Sequence, residues 1–367
     1  MKMNFRKIGL KKLDTYIIGK FLGTYFFSII LILSIAVVFD VTEKIDDFYE
    51  HNATFKAIVF DYYLSFLPYY AYLFTPLFTF ISVIFFTSKM ANDTEIVAIL
   101  SSGVSYNRLM RPYLIASLVI TIFAFLLGAF VIPNSTERLI TFEKKYIDPE
   151  KTSNNARNVQ MEVEKGVVLY IERYEISENT GYRFSLEKFE DKTLVSRLTA
   201  ESVKWDSLYH WKLNNYVQRE FKGMREKLTR GATMDTTIRV QPNEFFITAN
   251  EAPQLNLTEL RTYIVKQRER GIGNIQAFED EYYRRFSTAI SVLVMTLIGV
   301  SLSSRKVRGG MGINLGIGLG LSGLYVIFTT MSTTFAVNGI MPTLLAVWIP
   351  NITFFTIALF LYIKAPK

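Results

Sequence analysis

The sequence predicts an integral membrane α-helical fold, six transmembrane helices with an inserted all-β, jelly-roll-like domain. Three observations carry that prediction. Half of the 367 residues are hydrophobic. No charged side chain occurs in Phe21–Phe39, Tyr62–Thr87, Pro112–Ser135 or Phe286–Ser304, nor anywhere from Gly309 to Ile363. A helix of about 20 apolar residues crosses a ~30 Å hydrocarbon layer, and each of these runs is about that long or longer. Most of the charge falls instead in one segment, 134–283, whose apolar residues alternate as in strands.

Taken in order, the spans are expected at 16–40, 57–87, 112–133, 284–304, 311–337 and 343–363. The first lacks a small-residue cleavage site and reads as an uncleaved anchor. The second contains Pro68 and Pro76; proline removes a backbone donor, so a bent helix is expected there. Asp61, the only acid near its apolar part, is read as interfacial. The long uncharged run divides at Asn338-Gly339-Ile340-Met341-Pro342, a turn signal.

Basic residues in short loops set orientation. Lys2, Arg6, Lys7, Lys11, Lys12 and Lys20 precede or enter the first span, Lys89, Arg108 and Arg111 lie between the second and third, and Arg305, Lys306 and Arg308 follow the fourth. Lys364 and Lys367 end the chain, whereas the loop after the first span is acidic, with Asp40, Glu43, Asp46, Asp47 and Glu50. Both termini are therefore expected in the cytoplasm and the 134–283 segment outside. The net charge of +8 is largely this orientation signal rather than a nucleic-acid footprint.

Strands are expected around Val167–Ile171, Phe184–Phe189, Val203–Trp205 and Trp211–Val217, with turns at Asn179-Thr180-Gly181 and Glu190-Asp191-Lys192. After Pro253 the pattern becomes helical. Asn256-Leu257-Thr258-Glu259 has the form of a capping box, Gly271 of a stop, and a second helix from near Asn274 runs through Glu279–Arg285 into the fourth span. The organisation is then 1–133, three spans with a cytoplasmic helix about 93–103; 134–255, the β domain; 256–283, a helical linker; and 284–367, three more spans.

Composition removes several chemistries. There is no cysteine, so no disulfide, Cys-based zinc site or thiol nucleophile; His51 and His210 are the only histidines, too few for HExxH or a His-dependent triad. No GxxxxGK[ST] sequence occurs, so any ATP must be bound by another subunit. No catalytic or metal-ligating constellation is read.

The order of elements, with four local motifs, resembles the LptF/LptG permeases of the lipopolysaccharide exporter. Leu13-Asp14-Thr15-Tyr16-Ile17 resembles that family's L-D-x-Y-I entry to its first helix, and Thr94-Glu95-Ile96-Val97 through Ser102-Gly103 its S-E-hydrophobic…S-G stretch. Pro133 sits where the family ends its third helix, and Gly339-Ile340-Met341-Pro342 with Pro350 resembles its G-I-x-P…P pattern. The entry and the closing motif are slightly more LptG-like. The resemblance implies a permease half, paired with a second LptF/LptG-type permease. A cytoplasmic ATP-binding-cassette ATPase dimer would hold the ATP and Mg²⁺, and a periplasmic bridge would receive lipopolysaccharide extracted from the inner membrane.

Residue roles follow as expectations. Asp93 or Thr94 caps a short helix with Glu95 in its first turn, and Ile96, Val97, Ile99 and Leu100 form its apolar face. The resemblance makes this the ATPase-coupling helix; an amphipathic helix on the membrane surface has the same pattern. Gly312, Gly316, Gly320 and Gly323 allow close helix approach, against this chain's own helices or, as the resemblance implies, against the partner permease at a gate. Phe26, Phe27, Ile30, Leu33 and Val37 are candidates for an acyl-chain cavity, with lipid-facing or packing roles as the ordinary alternative. Lys44, Arg138, Lys144 and Lys145 are candidates for a phosphate-binding rim; for the last three a solvated charged linker is the preferred reading. Carboxylates beside Lys44 would repel phosphate. Competing functions are a membrane-anchored envelope assembly or signalling protein whose outer domain binds partners, and a membrane enzyme acting on lipids.

Overall fold

The computed structural model describes residues 11–147, 155–190, 193–223, 225–246, 249–269, 275–304 and 310–365. The N-terminal basic tail, the Arg305–Arg308 cluster, Lys367, Asp191, Lys192, Gly271 and Asn274 lie outside these. Two compact units are present, 1–142 with 279–367, and 143–278.

Six helices of the first unit are long and apolar enough to cross a membrane: α1 Lys12–Glu50, α2 Phe55–Asn92, α4 Tyr106–Tyr146, α6 Gln276–Ser303, α7 Gly310–Val337 and α8 Thr343–Ile363. A short helix, α3 Glu95–Ser101, joins α2 to α4. In hydrocarbon no water can satisfy the backbone, so every peptide group must be bonded within the segment, which a helix achieves. α1 has 39 residues, about 58 Å at 1.5 Å per residue, well beyond a ~30 Å layer. The acidic stretch Asp40–Glu50, expected as loop, is thus the continuation of the helix.

Two turns of the bundle are widened to π-helix, Ile58–Tyr63 and Leu127–Val131. In the second, Ile132 N–H reaches back five residues to the Leu127 carbonyl. Proline in an α-helix clashes with the carbonyl four residues earlier, and a wider turn relieves that clash. Pro133 therefore does not end the helix as expected; α4 continues past it to Tyr146. Gly128 lies in the same turn because a Cβ there would stand 2.9 Å from the Tyr72 ring.

Several polar side chains inside the bundle pair with one another, while others, such as the Thr79 and Ser82 hydroxyls, are buried without a side-chain partner among the described residues. Tyr25 and Thr75 share a hydrogen bond of 3.1 Å, Thr87 donates to Tyr113 at 3.2 Å, and Tyr325 donates to Asn351 at 2.9 Å. The Asn351 amide in turn donates to the Ser287 carbonyl at 2.8 Å, tying α8 to α6. Around these lie Phe21, Phe86 and Tyr113, stacked at 5.2–5.7 Å from Phe86, and a second cluster of Phe80, Ile84, Ile298, Tyr325 and Phe354.

The inserted unit is one antiparallel sheet in chain order: β1 Asn155–Glu164, β2 Val167–Glu175, β3 Thr180–Glu190, β4 Thr193–Ser207, β5 His210–Lys222 and β6 Arg225–Thr237. The all-β insert is as expected; its described strands form a meander, without the crossovers of a double Greek-key jelly roll. β1 and β6 had no sequence expectation, and Thr180 and Gly181, expected in a turn, open β3. One face is buried: Leu169 and Ile171 pack with Phe184, Ala200, Val203 and Leu213, the period-2 alternation of a half-buried sheet. Trp211 is fully enclosed beside Tyr174 and Phe245, its indole N–H donating to the Val240 carbonyl at 3.2 Å. Burial pushes the Tyr174 hydroxyl well above its ordinary pKa. After the sheet comes α5, Leu257–Glu269. Its capping box is formed as expected: Asn256 Oδ1 accepts from Thr258 and Glu259 N–H at 3.0 and 2.9 Å, and Glu259 accepts from Asn256 N–H at 2.9 Å.

Truncating a large buried aromatic costs about 3–5 kcal/mol. Trp211→Ala is therefore expected to make residues 155–246 protease-sensitive while the membrane helices stay resistant, as measured by limited proteolysis of the purified protein.

Candidate functional site

Helix α3 hangs between two left-handed residues, Thr94 (φ 60°) and Gly103 (φ 85°). Glycine adopts that conformation freely; threonine does so at a cost of order 1–2 kcal/mol. The expected cap is not formed: Asp93 ends α2, and the Thr94 hydroxyl donates to the Asp93 carbonyl at 2.7 Å rather than accepting from the first turn of α3. Nor is the apolar face outward. Ile96 is 1% exposed, within the core formed by α1, α2, α4 and α6, and Ile99 and Leu100 pack against that core. What α3 presents to the outside is Val97, 54% exposed, with Ala98 and Ser101, flanked by Asp93 and Thr94.

Two contacts tie this region to the start of α1. Arg108, in the first turn of α4, grips Asp14 with two parallel hydrogen bonds of 2.6 Å. Asp14 is 1% exposed and also accepts from the Lys11 N–H at 2.9 Å. A bidentate guanidinium–carboxylate pair is among the stronger side-chain contacts and fixes orientation as well as distance. The Tyr16 hydroxyl donates to the Glu95 carboxylate, 3.1 Å from one oxygen and 3.4 Å from the other. At the same end Asn314 of α7 donates to Ser88 of α2 at 3.1 Å, and Tyr362 of α8 to Asn107 at 2.5 Å.

The glycines of α7 divide into two sets. A Cβ at Gly318 would lie 2.3 Å from Ile84, so that glycine is the close approach to α2. Gly312, Gly316, Gly320 and Gly323 have nothing within 4 Å of a built Cβ. Among the described residues, the four expected to serve packing thus meet no neighbour of this chain. α1 is also open to the outside. Phe27 is 66% and Ile30 63% exposed, whereas Phe26 leans on Tyr25 and Phe123 and Val37 is half-buried. Leu33, the remaining candidate for the acyl-chain cavity, is buried in the core.

At the other end of α1, Asp40 accepts from Tyr62 and Tyr63, each at 3.1 Å, and pairs with Lys44 at 3.0 Å. Lys44 further contacts the Tyr62 hydroxyl and lies over its ring. It is thus engaged by its own chain rather than open at a rim. Lys145 rests over the Tyr146 ring, and Lys144 is beside it in the last turn of α4. Arg138 is exposed and lines a groove of about 400 Å³ with Leu64, Pro68, Phe130 and Asn134, between the two π-helical turns. Of the four rim candidates, Arg138 is the one placed in this groove.

The family model described as lipopolysaccharide export system permease LptF/LptG matches residues 15–364. The chain belongs to that family. Its match does not divide LptF from LptG. A protein of Aquifex aeolicus (strain VF5), described only as uncharacterized, is 23% identical over 300 residues, covering 79% of this chain and 81% of that protein. The permease is therefore a multi-pass inner-membrane transport component for lipopolysaccharide export rather than an enzyme.

Two parts of the permease escaped sequence reading. The Asp14–Arg108 pair joins residues 94 apart, and nothing in either local sequence announces the other. The second is a buried ionic group at the start of α6: Glu281 binds Arg284 and, at 3.1 Å, Arg285, while Asp280 lies 3.9 Å from Arg284. Asp280, Glu281 and Arg285 are each no more than 5% exposed. Their (i, i+3) and (i, i+4) spacing was the available signal.

Arg108 keeps 26% of its side chain exposed, so removing it leaves a carboxylate that water can partly reach, at a cost of about 1–3 kcal/mol. Arg108→Ala is expected to lower thermal stability in detergent by an amount of that order. Adding Asp14→Asn in the same chain is expected to recover most of it, read from the apparent Tm of the three variants.

Proposed function

We propose that this permease is one half of the membrane part of an ATP-binding-cassette transporter that extracts lipopolysaccharide from the inner membrane and hands it to a periplasmic bridge. A second LptF/LptG-type permease completes the translocation path, and a cytoplasmic ATPase dimer holds ATP and Mg²⁺. Both termini and α3 face the cytoplasm, and the β domain is periplasmic; the basic residues flanking α1, α2 and α4 support that orientation.

The observation that carries the pairing is the open glycine row of α7. A bare row of Gly312, Gly316, Gly320 and Gly323 lets a neighbouring helix approach closely, and in lipid that packing is a main source of helix association. The exposed side of α1, with Phe27 and Ile30, offers apolar surface for acyl chains. Arg138 supplies a cation for phosphate at the rim of the path, in the groove beside Phe130. The charged β6 edge and the meander suit addition of a further strand by the bridge.

Docking of the ATPase falls on Val97, Ala98 and Ser101, with Asp93, Thr94 and Glu95 beside them, while Ile96, Ile99 and Leu100 hold α3 to the bundle. Val97→Asp is expected to reduce the ATPase retained on purification about tenfold, since it desolvates a charge against the partner without disturbing the core. Ile96→Asp is expected to lower the yield of folded permease itself. Equal retention by Val97→Asp and the parent would remove α3 as the docking element.

Gly316→Leu with Gly320→Leu is expected to abolish cross-linking to the partner permease while leaving this chain folded. Depletion of the chain is expected to trap lipopolysaccharide in the inner membrane, followed by membrane fractionation; normal export under depletion defeats the function.

A further inference from the structure

Asp14 and Tyr16 are two residues apart, about 200° around a helix of 3.6 residues per turn. They face nearly opposite ways from the first turn of α1, and each meets a different element. Asp14 is clamped by Arg108 of α4 through two contacts of 2.6 Å, and Tyr16 reaches Glu95 of α3 at 3.1 Å. The first turn of α1 is thus wedged between the short helix and the helix that follows it. Its backbone is held too, since the Lys11 N–H donates to Asp14.

We propose that Tyr16 is a positioning residue for energy coupling: its hydroxyl holds the Glu95 carboxylate and makes the start of α1 part of the element that receives the ATPase stroke. This rests on the docking role given above to α3. The short helix is bounded by left-handed Thr94 and Gly103, sharp reversals that let it tilt as a unit. Its outer face, Val97 and Ala98, takes the push. The inner face is attached to the rest of the bundle in two ways, by apolar packing of Ile96, Ile99 and Leu100 in or against the core and by the hydrogen bond from Tyr16 to Glu95. Ile96 belongs to a core to which α1, α2, α4 and α6 all contribute, so a displacement there is spread over several helices. The Tyr16 contact belongs to α1 alone.

α1 is also a helix suited to moving. Only 22% of its most apolar window is buried, against 67% for α6, so most of that window is not enclosed by this chain's own helices, and its exposed side carries Phe27 and Ile30. The Asp14–Arg108 clamp then serves as a fulcrum, holding one side of the first turn while Glu95 draws the other. A phenol hydroxyl donates a single hydrogen, which leaves lone pairs on Glu95 open for a donor from the ATPase. One carboxylate can therefore bridge the partner and α1 at once.

The test uses the whole complex, both permeases with the ATPase, in proteoliposomes containing lipopolysaccharide, and reads lipopolysaccharide extracted per ATP hydrolysed. A change that merely destabilises the chain lowers the yield of complex but not this ratio. Loss of a hydrogen bond to a charged group in partly exposed surroundings is expected to lower the ratio about threefold or more in Tyr16→Phe. Glu95→Gln should lower it as well, and Tyr16→Phe added to Glu95→Gln should cause no further fall, because the hydroxyl acts through that carboxylate. A ratio in Tyr16→Phe equal to that of the parent overturns the proposal. So does an equal proportional fall in both backgrounds. A parent chain that retains no ATPase or extracts no lipopolysaccharide overturns the function proposed above, and the positioning role with it.

Discussion

A polar atom carried into hydrocarbon has to find its partner inside the protein, because the solvent there offers none. That requirement organises the membrane unit. Asn351 answers both Tyr325 and Ser287, so three helices meet at one amide. Tyr25 and Thr75 join α1 to α2 in the same way, and Thr87 and Tyr113 join α2 to α4. The charged residues obey the same rule at greater stakes. Asp14 is acceptable at 1% exposure only because Arg108 meets both of its oxygens, and Glu281 only because two arginines flank it.

Once these obligations are met inward, the surfaces left outward are apolar or bare. α6 sits deep in the bundle, while α1 and α7 each bury only 22% of their most apolar windows. For α7 the outward surface includes a row of glycines, set among exposed side chains such as Ile313, Ile317, Leu319 and Leu324; such a notch is covered poorly by lipid tails and well by another helix. For α1 it is a strip that includes phenylalanine and isoleucine. The two least buried helices thus both present apolar side chains, and α7 adds a notch between them.

Much of this was legible beforehand, and the failures have physical causes. Uncharged runs located all six membrane helices, because a charge in hydrocarbon is costly enough to be excluded almost everywhere. Alternation locates β2 to β5. It does not locate β1, although Val163 enters the core with Val159 and Met161 against it, nor β6, since nearly all of its side chains are exposed and no alternation is imposed on it. Pro133 was read as a stop because proline clashes with an α-turn, and local sequence gives no warning that the preceding turn is widened. Ile96 was taken for docking surface because an amphipathic pattern does not say which side of a short helix meets the core. Lys44 had its partner one turn away in Asp40, but its seat on Tyr62 required the fold. The glycine row was visible as a pattern, and only the structure separated Gly318, which packs on Ile84, from the four that do not.

The widened turn at Leu127–Val131 also sets the phase of everything after it in α4. One residue more than an α-turn requires rotates the following stretch by about 100° relative to an uninterrupted helix. That offset brings Phe142 against Phe48 and Tyr62, at ring distances of 5.8 and 5.1 Å. Loss of a single residue here would restore ordinary pitch and still be locally comfortable. It would nonetheless turn Phe142 away from both rings and swing Arg138 out of its groove. The turn works as a vernier between two helical segments, so chain length at this point is a determinant of the outer surface, as much as the identity of any side chain on it.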